Sequence, residues 1–427
     1  MRVREKRGAG LAVRPFLALF VAGALPARAA LLQEPREEPA SSPGTPSSLS
    51  APPSDLTPAT ALPRETPVEN AVGRTSVSGS AFGGYGELTL NVTSNGSSVI
   101  DLRRVVFYFG HDFNERIRFY SEIEIEHAVS SANDQGEVEI EQAYLDGLLS
   151  KRFNLRGGLV LMPVGIINIY HEPPSFNGVD RPDVDRFVIP TTWREPGIGI
   201  FGELAEGLRY QLYFVNGLNA NHFSAESSIF EGHQEAQLAY AGDYGGVARL
   251  DYEPFLGTVI GASAYGATSG NSLRSTVGRV PVWLFEIDAR FHRGGWSGRG
   301  EFALQLISDA AALNQALLSG TDAQKEAGPV ASRSQGAYAE LAYDLLRLLA
   351  PSSEQSLTAF TRFDYADTQA SVPSGLTPRL EFRRFSQMVG LVYRPIPQVA
   401  LKADFRRHWL GSGDAYNEFA SAITWLF

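Results

Sequence analysis

From Phe82 to the last residue, the sequence repeatedly alternates between apolar and polar side chains with a period of two. This is the period of a β-strand, because successive side chains of a strand point to opposite faces. One such segment alternates Ile117, Phe119, Ile123 and Ile125 with Arg118, Tyr120, Glu122, Glu124 and Glu126. The last segment places Phe419, Ile423, Trp425 and Phe427 on one face. The pattern predicts an all-β fold whose strands have one apolar and one polar face.

The connections between these segments predict which all-β fold they form. About sixteen segments start near residues 80, 99, 117, 137, 153, 197, 208, 245, 257, 281, 296, 336, 356, 386, 398 and 418. Joins after even-numbered segments are short, whereas most joins after odd-numbered segments are longer, as at 166–196, 217–244 and 409–417. This segregation and an even strand number are typical of a transmembrane antiparallel β-barrel of the bacterial outer membrane. A soluble β-sandwich gives no reason for it.

The first 29 residues have the organisation of a secretory signal peptide. Five basic residues precede an apolar run from Phe16 to Leu25, and Ala27-Arg28-Ala29 forms a small-x-small cleavage site. The run has about half of the ~20 residues that a helix needs to cross a bilayer, so a retained membrane anchor is the alternative. No later segment approaches the length of a helical span.

Residues 30–76 are rich in Pro, Ser, Ala and Glu and have neither a helical nor a strand period. This composition predicts a disordered periplasmic linker. A ligand motif for a periplasmic partner is the alternative. The predicted barrel occupies residues 77–427.

Composition excludes several classes of site. The chain has no cysteine, which excludes disulfides, a lipid-bearing cysteine and cysteine metal clusters. Removal of residues 1–29 takes away six basic residues and one acidic residue, which moves the formal charge from −10 to −15. This balance argues against nucleic-acid partners, which need clustered positive charge. The seven histidines form no metal-binding spacing and no enzyme motif has a supporting context, so neither a cofactor nor an enzyme activity is predicted.

Residues on the polar face of the predicted strands are candidates for lining the pore. The third and fourth strands carry an acidic series: Glu122, Glu124, Glu126, Glu137, Glu139 and Glu141. Basic residues lie mostly on later strands: Arg104, Arg249, Arg290, Arg299, Arg362, Lys402 and Arg406. Opposed walls of charge would produce a transverse field across the pore, whereas pairing within the wall would only keep the lumen wet. Charges are scarce on the outward parity, and an exception, Arg103, lies near a strand end.

Two further features concern the pore and its assembly. Segment 166–196, the third external loop, is the best candidate for a constriction of the pore, and a plain surface loop is the alternative. Its charged residues are Glu172, Asp180, Arg181, Asp183, Asp185 and Arg186. The terminal Phe427, with apolar residues at alternate positions before it, looks like the signal that the barrel assembly machinery of the outer membrane recognises.

Four segments carry a resemblance to a known family. They are residues 100–107 (IDLRRVVF), 156–165 (RGGLVLMPVG), 246–252 (GVARLDY) and 261–265 (GASAY). They are similar to the twin-arginine second strand, the strand before the long third loop and the mid-barrel hairpin of the phosphate-selective porin (porin O/P) family of Gram-negative bacteria. Over roughly residues 80–427, the resemblance implies a sixteen-stranded channel, commonly a homotrimer, with the third loop folded into the pore. The chain departs from the family at Val106, where the twin-arginine strand often carries a further basic residue.

These observations predict a passive diffusion channel for small hydrophilic solutes or ions, surrounded by the lipid of the cell outer membrane. The acidic series favours a weak preference for cations or neutral solutes, and an anion- or phosphate-selective porin is the alternative. A barrel enzyme would need a convergent catalytic site, and a secreted soluble carbohydrate-binding β protein would need a polar exterior. The sequence favours neither of these two.

Overall fold

The computed structural model describes residues 79–427 except residues 97 and 132–135. They form sixteen strands: β1 (Ser80–Thr93), β2 (Ser98–Asp112), β3 (Ile117–Glu126), β4 (Val138–Leu148), β5 (Asn154–Leu161), β6 (Arg194–Ala205), β7 (Leu208–Asn216), β8 (Tyr244–Phe255), β9 (Thr258–Thr268), β10 (Pro281–Arg293), β11 (Trp296–Ile307), β12 (Arg333–Asp344), β13 (Ser356–Ser371), β14 (Arg383–Ile396), β15 (Val399–Leu410) and β16 (Ala415–Leu426). Each pairs antiparallel with its neighbours in the chain, and β1 pairs with β16 to close the sheet. The predicted antiparallel barrel of about sixteen strands is confirmed. The predicted signal peptide and linker lie outside the described residues.

Helical segments within the described residues are short and lie in the connections. The α-helices are α1 (Asp183–Phe187), α2 (Ala310–Leu318), α3 (Asp322–Ala327) and α4 (Leu346–Leu349). Single 3₁₀ turns are formed by Pro173–Ser175, Ala220–His222, Phe230–Gly232, Asn271–Leu273 and Leu380–Phe382. None of the helices among the described residues has the length and apolarity that a membrane span requires.

The two faces of the barrel differ in the way that the alternation predicts. Apolar side chains on the outer face are exposed, and Ile198, Ile287 and Phe363 are each more than half exposed. Neighbouring residues on the inner face, such as Glu286 and Asp288, are buried and polar. A closed barrel pairs every strand edge, and an apolar belt matches hydrocarbon, so these residues have the architecture of a transmembrane barrel.

Connection lengths differ between the two ends of the barrel. Two-residue turns join β6 to β7, β8 to β9, β10 to β11 and β14 to β15. The connections after β5 and β7, residues 162–193 and 217–243, are long. The connection between β15 and β16, residues 411–414, is shorter than predicted. It closes through a hydrogen bond from Leu410 N–H to the Asp414 carbonyl (2.9 Å), and Gly413 adopts a φ of 97°, which suits glycine.

β-Bulges change the parity of two strands, β2 and β4. The alternation alone predicts that Arg103 faces lipid. In β2, however, the register skips Arg103, and its side chain turns inward beside Arg104. In β4 the register skips Glu141, and both Glu141 and Gln142 are buried. A bulge inserts one residue into one strand of a pair and so re-aims the side chains around it. Both bulges add polar groups to the inner face.

The C-terminal residue closes the barrel against the start of β1. Phe427 N–H donates to the Gly84 carbonyl (2.8 Å), and Gly84 N–H donates to the Phe427 carbonyl (2.9 Å). The Phe427 ring lies 6.4 Å from the Phe82 ring and 6.5 Å from the Phe107 ring, centre to centre. Gly84 makes room for this contact, since a Cβ there would lie 2.9 Å from the Phe427 ring and 2.3 Å from the Val106 carbonyl oxygen.

Deletion of Phe427 should reduce the yield of folded barrel severalfold. Two hydrogen bonds of about 1 kcal/mol each would be lost at the closing seam, together with the aromatic contacts. The folded fraction can be measured by heat-dependent gel mobility, both after expression and after refolding in detergent. Phe427→Tyr keeps the ring and the backbone pairing and serves as the control. Normal assembly of the deletion variant would contradict the predicted role as an assembly signal.

Candidate functional site

The connection between β5 and β6, residues 162–193, lies inside the barrel and is here named the inner loop. Its backbone bonds to inward side chains of strands far around the barrel. Ile166 N–H donates to Glu301 on β11 (3.2 Å), Val179 N–H donates to Asp404 on β15 (2.8 Å), and Asp183 N–H donates to Asp364 on β13 (3.1 Å). The inner loop therefore crosses the lumen.

Hydrogen bonds of the buried Asn168 side chain close the base of the inner loop. Its Nδ2 donates to the Met162 carbonyl (2.7 Å) and the Trp193 carbonyl (3.0 Å), and its Oδ1 accepts from Trp193 N–H (2.6 Å). Apolar side chains such as Val184 and Ile189 are completely buried. Because buried peptide groups need partners, this bonding and packing give the inner loop a defined position.

Lys402, predicted to line the pore, lies beneath the inner loop. Its ammonium donates to the carbonyls of Pro173 (2.6 Å), Phe176 (2.7 Å) and Gly178 (2.9 Å). It also lies 4.1 Å from the centre of the Phe176 ring. All three donor positions of Lys402 are used, and its side chain is buried. Lys402 therefore supports the inner loop and is shielded from solute.

Arg362 and Arg406 are held in the same way. Arg406 pairs with Asp183 of the inner loop (2.7 Å) and with Asp364 (3.4 Å). Arg362 pairs with Asp364 (2.9 Å) and donates to the Asp180 carbonyl (3.1 Å). Both guanidinium groups are almost completely buried. Their charges are neutralised by carboxylates and loop carbonyls, so they anchor the loop to β13 and β15.

Two aspartates of the inner loop have opposite electrostatic surroundings. Burial alone would raise the pKa of Asp180, but the Arg103 guanidinium at 2.9 Å outweighs it and holds that pKa well below the usual range. Burial raises the pKa of Asp185, whose carboxylate oxygens have no hydrogen-bond donor among the described residues. Glu172 is partly buried next to His171. The inner-loop acids thus lie mostly at contacts with the wall.

The acidic series does not form an open wall. Three members are almost completely buried: Glu122, Glu124 and Glu141. Arg104 pairs with Glu124 (3.2 Å), with Glu87 of β1 (3.1 Å) and, more distantly, with Glu126 (3.8 Å).

The other two acids of the series are Glu137 and Glu139. Glu139 pairs with Arg194. Glu137 is exposed in the connection before β4. The negative charge predicted to face the lumen is therefore neutralised, or lies outside the open lumen.

Arg249 belongs to a buried ion cluster within the wall of β8 and β10. Its guanidinium contacts Asp251 (2.8 Å), Glu286 (3.2 Å) and Asp288 (2.6 Å). The Arg249 side chain has no exposed surface. Arg249 is therefore paired within the barrel wall, which is the alternative that the sequence left open.

Open space remains on both sides of the inner loop. The turn-side vestibule, with a volume of about 1470 Å³, is bordered by the short turns around Gly207, Leu256 and Gly295 and by Tyr170 of the inner loop. The loop-side vestibule, with a volume of about 960 Å³, lies between the inner loop and residues 224–231 and 323–327 of the long connections. The inner loop separates the two vestibules.

Basic side chains line the turn-side vestibule next to the inner loop. Arg290 lies over the Tyr170 ring at 4.5 Å, and Arg394 donates to the Pro174 carbonyl (3.2 Å). Within the described residues, neither has a carboxylate oxygen within 4.0 Å. Arg299 pairs with Glu340 at 3.4 Å. Two arginine charges thus face this vestibule without a paired acid.

Two arginines of the inner loop, Arg181 and Arg186, line the loop-side vestibule. Arg181 donates to the Thr192 hydroxyl (3.2 Å), and Arg186, exposed on α1, lies 5.2 Å from the Phe187 ring centre. In the part of the chain that the structure describes, neither forms an ion pair. These arginines face water on the opposite side of the inner loop from Arg290 and Arg394.

Comparison with known proteins gives a family without a described activity. No family model matches the chain. An uncharacterized protein of Aquifex aeolicus (strain VF5) is 38% identical over 356 residues, which cover 82% of this chain and 80% of that protein. The chain belongs to the family of this Aquifex protein.

Solved structures with the same fold include three outer-membrane proteins. Salmonella typhi OmpF, solved with daunomycin, has a TM-score of 0.56 and 13% identity over 83% of this chain and 100% of its own. The outer membrane channel DcaP of Acinetobacter baumannii has a TM-score of 0.54 and 11% identity over 82% and 99%. An anion-selective porin from Comamonas acidovorans has a TM-score of 0.50 and 12% identity over 82% and 100%. At such identities the similarity shows the fold, which is the barrel of outer-membrane porins.

Sequence reasoning missed several residues that shape this site. His171 lies in the inner loop without a recognisable spacing motif, and Arg394 is not among the predicted pore-lining residues. Asp364 and Asp404 lie on the inward parity of β13 and β15, so their orientation could have been predicted from the alternation. Their role as partners of the inner loop depends on where that loop folds.

Proposed function

We propose that the protein is a passive diffusion channel of the outer membrane for small hydrophilic solutes or ions. The observation that carries this proposal is the pair of vestibules inside a closed barrel, separated by the inner loop. A solute passing through the barrel would move from one vestibule to the other past this loop. The inner loop, which overlaps most of the predicted segment 166–196, would then form the constriction. The fold shared with DcaP, described as an outer membrane channel, supports the proposal.

Insertion of the purified protein into a planar bilayer should produce stepwise increases in current. A barrel with a continuous water-filled lumen conducts ions, whereas a filled barrel does not. Heat-unfolded protein is the control. Absence of current steps from protein that shows the heat-dependent gel mobility of a folded barrel would contradict a channel function.

A preference for anions is favoured over the weak cation or neutral preference that the acidic series predicts. The acids of the series are mostly buried away from the open lumen, whereas Arg181, Arg186, Arg290 and Arg394 line the vestibules without paired carboxylates among the described residues. Unpaired positive charge on both faces of a constriction would raise the local anion concentration. The fold is also that of a protein described as an anion-selective porin.

The reversal potential in a potassium chloride gradient should show a chloride preference, and changing the four arginines to glutamine should abolish it. The measurement is made on multichannel membranes at low ionic strength, because salt screens these charges. Arg116→Gln combined with Arg293→Gln, two exposed arginines outside both vestibules, is the matched control. A cation preference in the native protein would refute this proposal. Block of the chloride current by phosphate would favour the phosphate-selective alternative.

The cellular setting follows from the sequence and from the family resemblance. Residues 1–29 would direct export, residues 30–76 would lie in the periplasm, and three copies would assemble as a homotrimer surrounded by outer-membrane lipid. Chemical cross-linking of the native membrane tests the trimer: a product of three chains supports it, and a monomer alone contradicts it.

A further inference from the structure

Two carboxylates and one imidazole meet where the inner loop contacts the wall of β3 and β4. Glu122 lies on β3, Glu141 occupies the bulge in β4, and His171 lies on the inner loop. Each is at most 1% exposed. One ligand atom from each, a carboxylate oxygen or an imidazole nitrogen, lies within 4.8 Å of the other two. These are side-chain types that bind divalent transition metals.

Among the described residues, the nearby arginines form their ion pairs with other acids and not with this cluster. Arg104 pairs with Glu124, and Arg194 pairs with Glu139. Among the described residues, His171 is the one ion-pair partner of Glu122 and Glu141. Within the described residues, one oxygen of each carboxylate and the Nε2 of His171 have no hydrogen-bond partner. Two buried carboxylates are costly without a cation between them.

The two histidine–carboxylate distances in the cluster are longer than direct hydrogen bonds and are close to the separation of two ligands on one metal ion. His171 Nε2 lies 3.5 Å from Glu141 and 3.6 Å from Glu122, beyond the usual hydrogen-bond range of about 2.7–3.2 Å. Ligands about 2.0–2.1 Å from a tetrahedral ion lie roughly 3.3 Å apart. Direct histidine–carboxylate pairs elsewhere in this protein are shorter, at 2.9, 2.8 and 2.9 Å: His127–Asp101, His233–Glu235 and His408–Glu418.

Neighbouring groups orient all three side chains toward one point. His171 Nδ1 donates to the Asn168 carbonyl (3.3 Å), which directs the lone pair of Nε2 toward the carboxylates. Gln142 donates to Glu122 Oε2, which leaves Oε1 toward His171, and the Tyr85 hydroxyl donates to Glu141 Oε2 (3.4 Å), the oxygen that also lies 3.5 Å from His171 Nε2. Such outer hydrogen bonds are typical of metal sites, where they fix the ligand orientation.

We propose that Glu122, Glu141 and His171 bind one zinc ion that fastens the inner loop to the barrel wall. Three protein ligands with nitrogen and oxygen donors suit a tetrahedral ion, with one position left for water or a second carboxylate oxygen. A proton on His171 is the competing occupant. Burial would lower the pKa of this imidazole, but Glu141 and Glu122 raise it to about 10.

The full-length protein, folded in detergent and stripped with a chelator, should take up one zinc ion per chain after equilibrium dialysis. Cobalt in place of zinc should give the visible absorption of a tetrahedral ion. His171→Ala and Glu141→Gln should weaken zinc binding by at least about 100-fold, since even changes in outer groups cost about 10–100-fold. The control is His222→Ala, an exposed histidine in the connection after β7, which should bind zinc normally.

Equal zinc content in the native protein and in His171→Ala would overturn this proposal. Glu122→Gln preserves side-chain shape and provides a second variant if His171→Ala folds poorly. Zinc should also slow proteolysis of the inner loop in the native protein and leave the rate unchanged in Glu122→Gln. Neither measurement uses current, so failure of the zinc site and failure of the channel function can be distinguished.

Discussion

A barrel that lacks residues 175–186 should pass severalfold more current through a single channel than the native protein. These residues include the part of the inner loop that bonds to β13 and β15. Their removal would widen the passage between the vestibules of about 1470 and 960 Å³. Conductance rises with the cross-section of the narrowest part of a pore. Single-channel recording in planar bilayers at fixed salt measures the change.

Deletion of residues 374–377 is the matched control for this experiment. These mostly exposed residues lie in the connection between β13 and β14, away from the inner loop. The control should keep the native conductance. Heat-dependent gel mobility verifies that both deletions fold. Native conductance in the folded 175–186 deletion would show that the inner loop does not narrow the path.

Lys402→Met should release the middle of the inner loop and make the open-channel current unsteady. Methionine fills a similar volume but donates no hydrogen bond, so the carbonyls of Pro173, Phe176 and Gly178 lose their shared donor. Each buried polar group left unpaired costs about 1–3 kcal/mol, which the loop can avoid by moving toward water. Current noise should increase severalfold, and the inner loop should become sensitive to protease.

Lys325→Met is the control for Lys402→Met. Lys325 lies on α3 and pairs with the exposed Asp322, and it does not itself line the loop-side vestibule, unlike its neighbours Ala323 and Glu326. This substitution should leave both current noise and proteolysis unchanged. A steady current and native protease resistance in Lys402→Met would mean that the Asn168 hydrogen bonds and the apolar contacts hold the inner loop without the ammonium.

The strands were predictable because each of them alternates apolar side chains toward lipid with polar side chains toward the lumen. The start of β10 at Pro281 and that of β11 at Trp296 coincide with the predicted residues, and β6, β12 and β14 begin three residues earlier than predicted. A charge on the lipid face near the midplane costs about 2–4 kcal/mol, so the outer parity stays apolar over many strands. The even strand number and the short turns then favour a closed barrel.

The candidate site was only partly predictable, because inward orientation does not establish contact with solute. Glu122, Arg362, Lys402 and Arg406 all face inward, yet all four are buried against the inner loop or the wall. Arg103 was assigned to the wrong face because a bulge is not visible in the alternation. Arg394 lies on the inward face near the end of β14, where the alternation gives way to the turn, and it is not among the predicted pore-lining residues.

The sequence by itself determined the all-β class, the number of strands and the end at which the long connections lie. These properties depend on residues close together in the chain and on the solvent that each strand face meets. Only the tertiary structure decided which inward charges remain open to water. That outcome depends on where residues 162–193 fold and on which distant strands supply their partners. The unpaired arginines of the vestibules and the Glu122, Glu141 and His171 cluster both arise from contacts across the barrel, which no local period encodes.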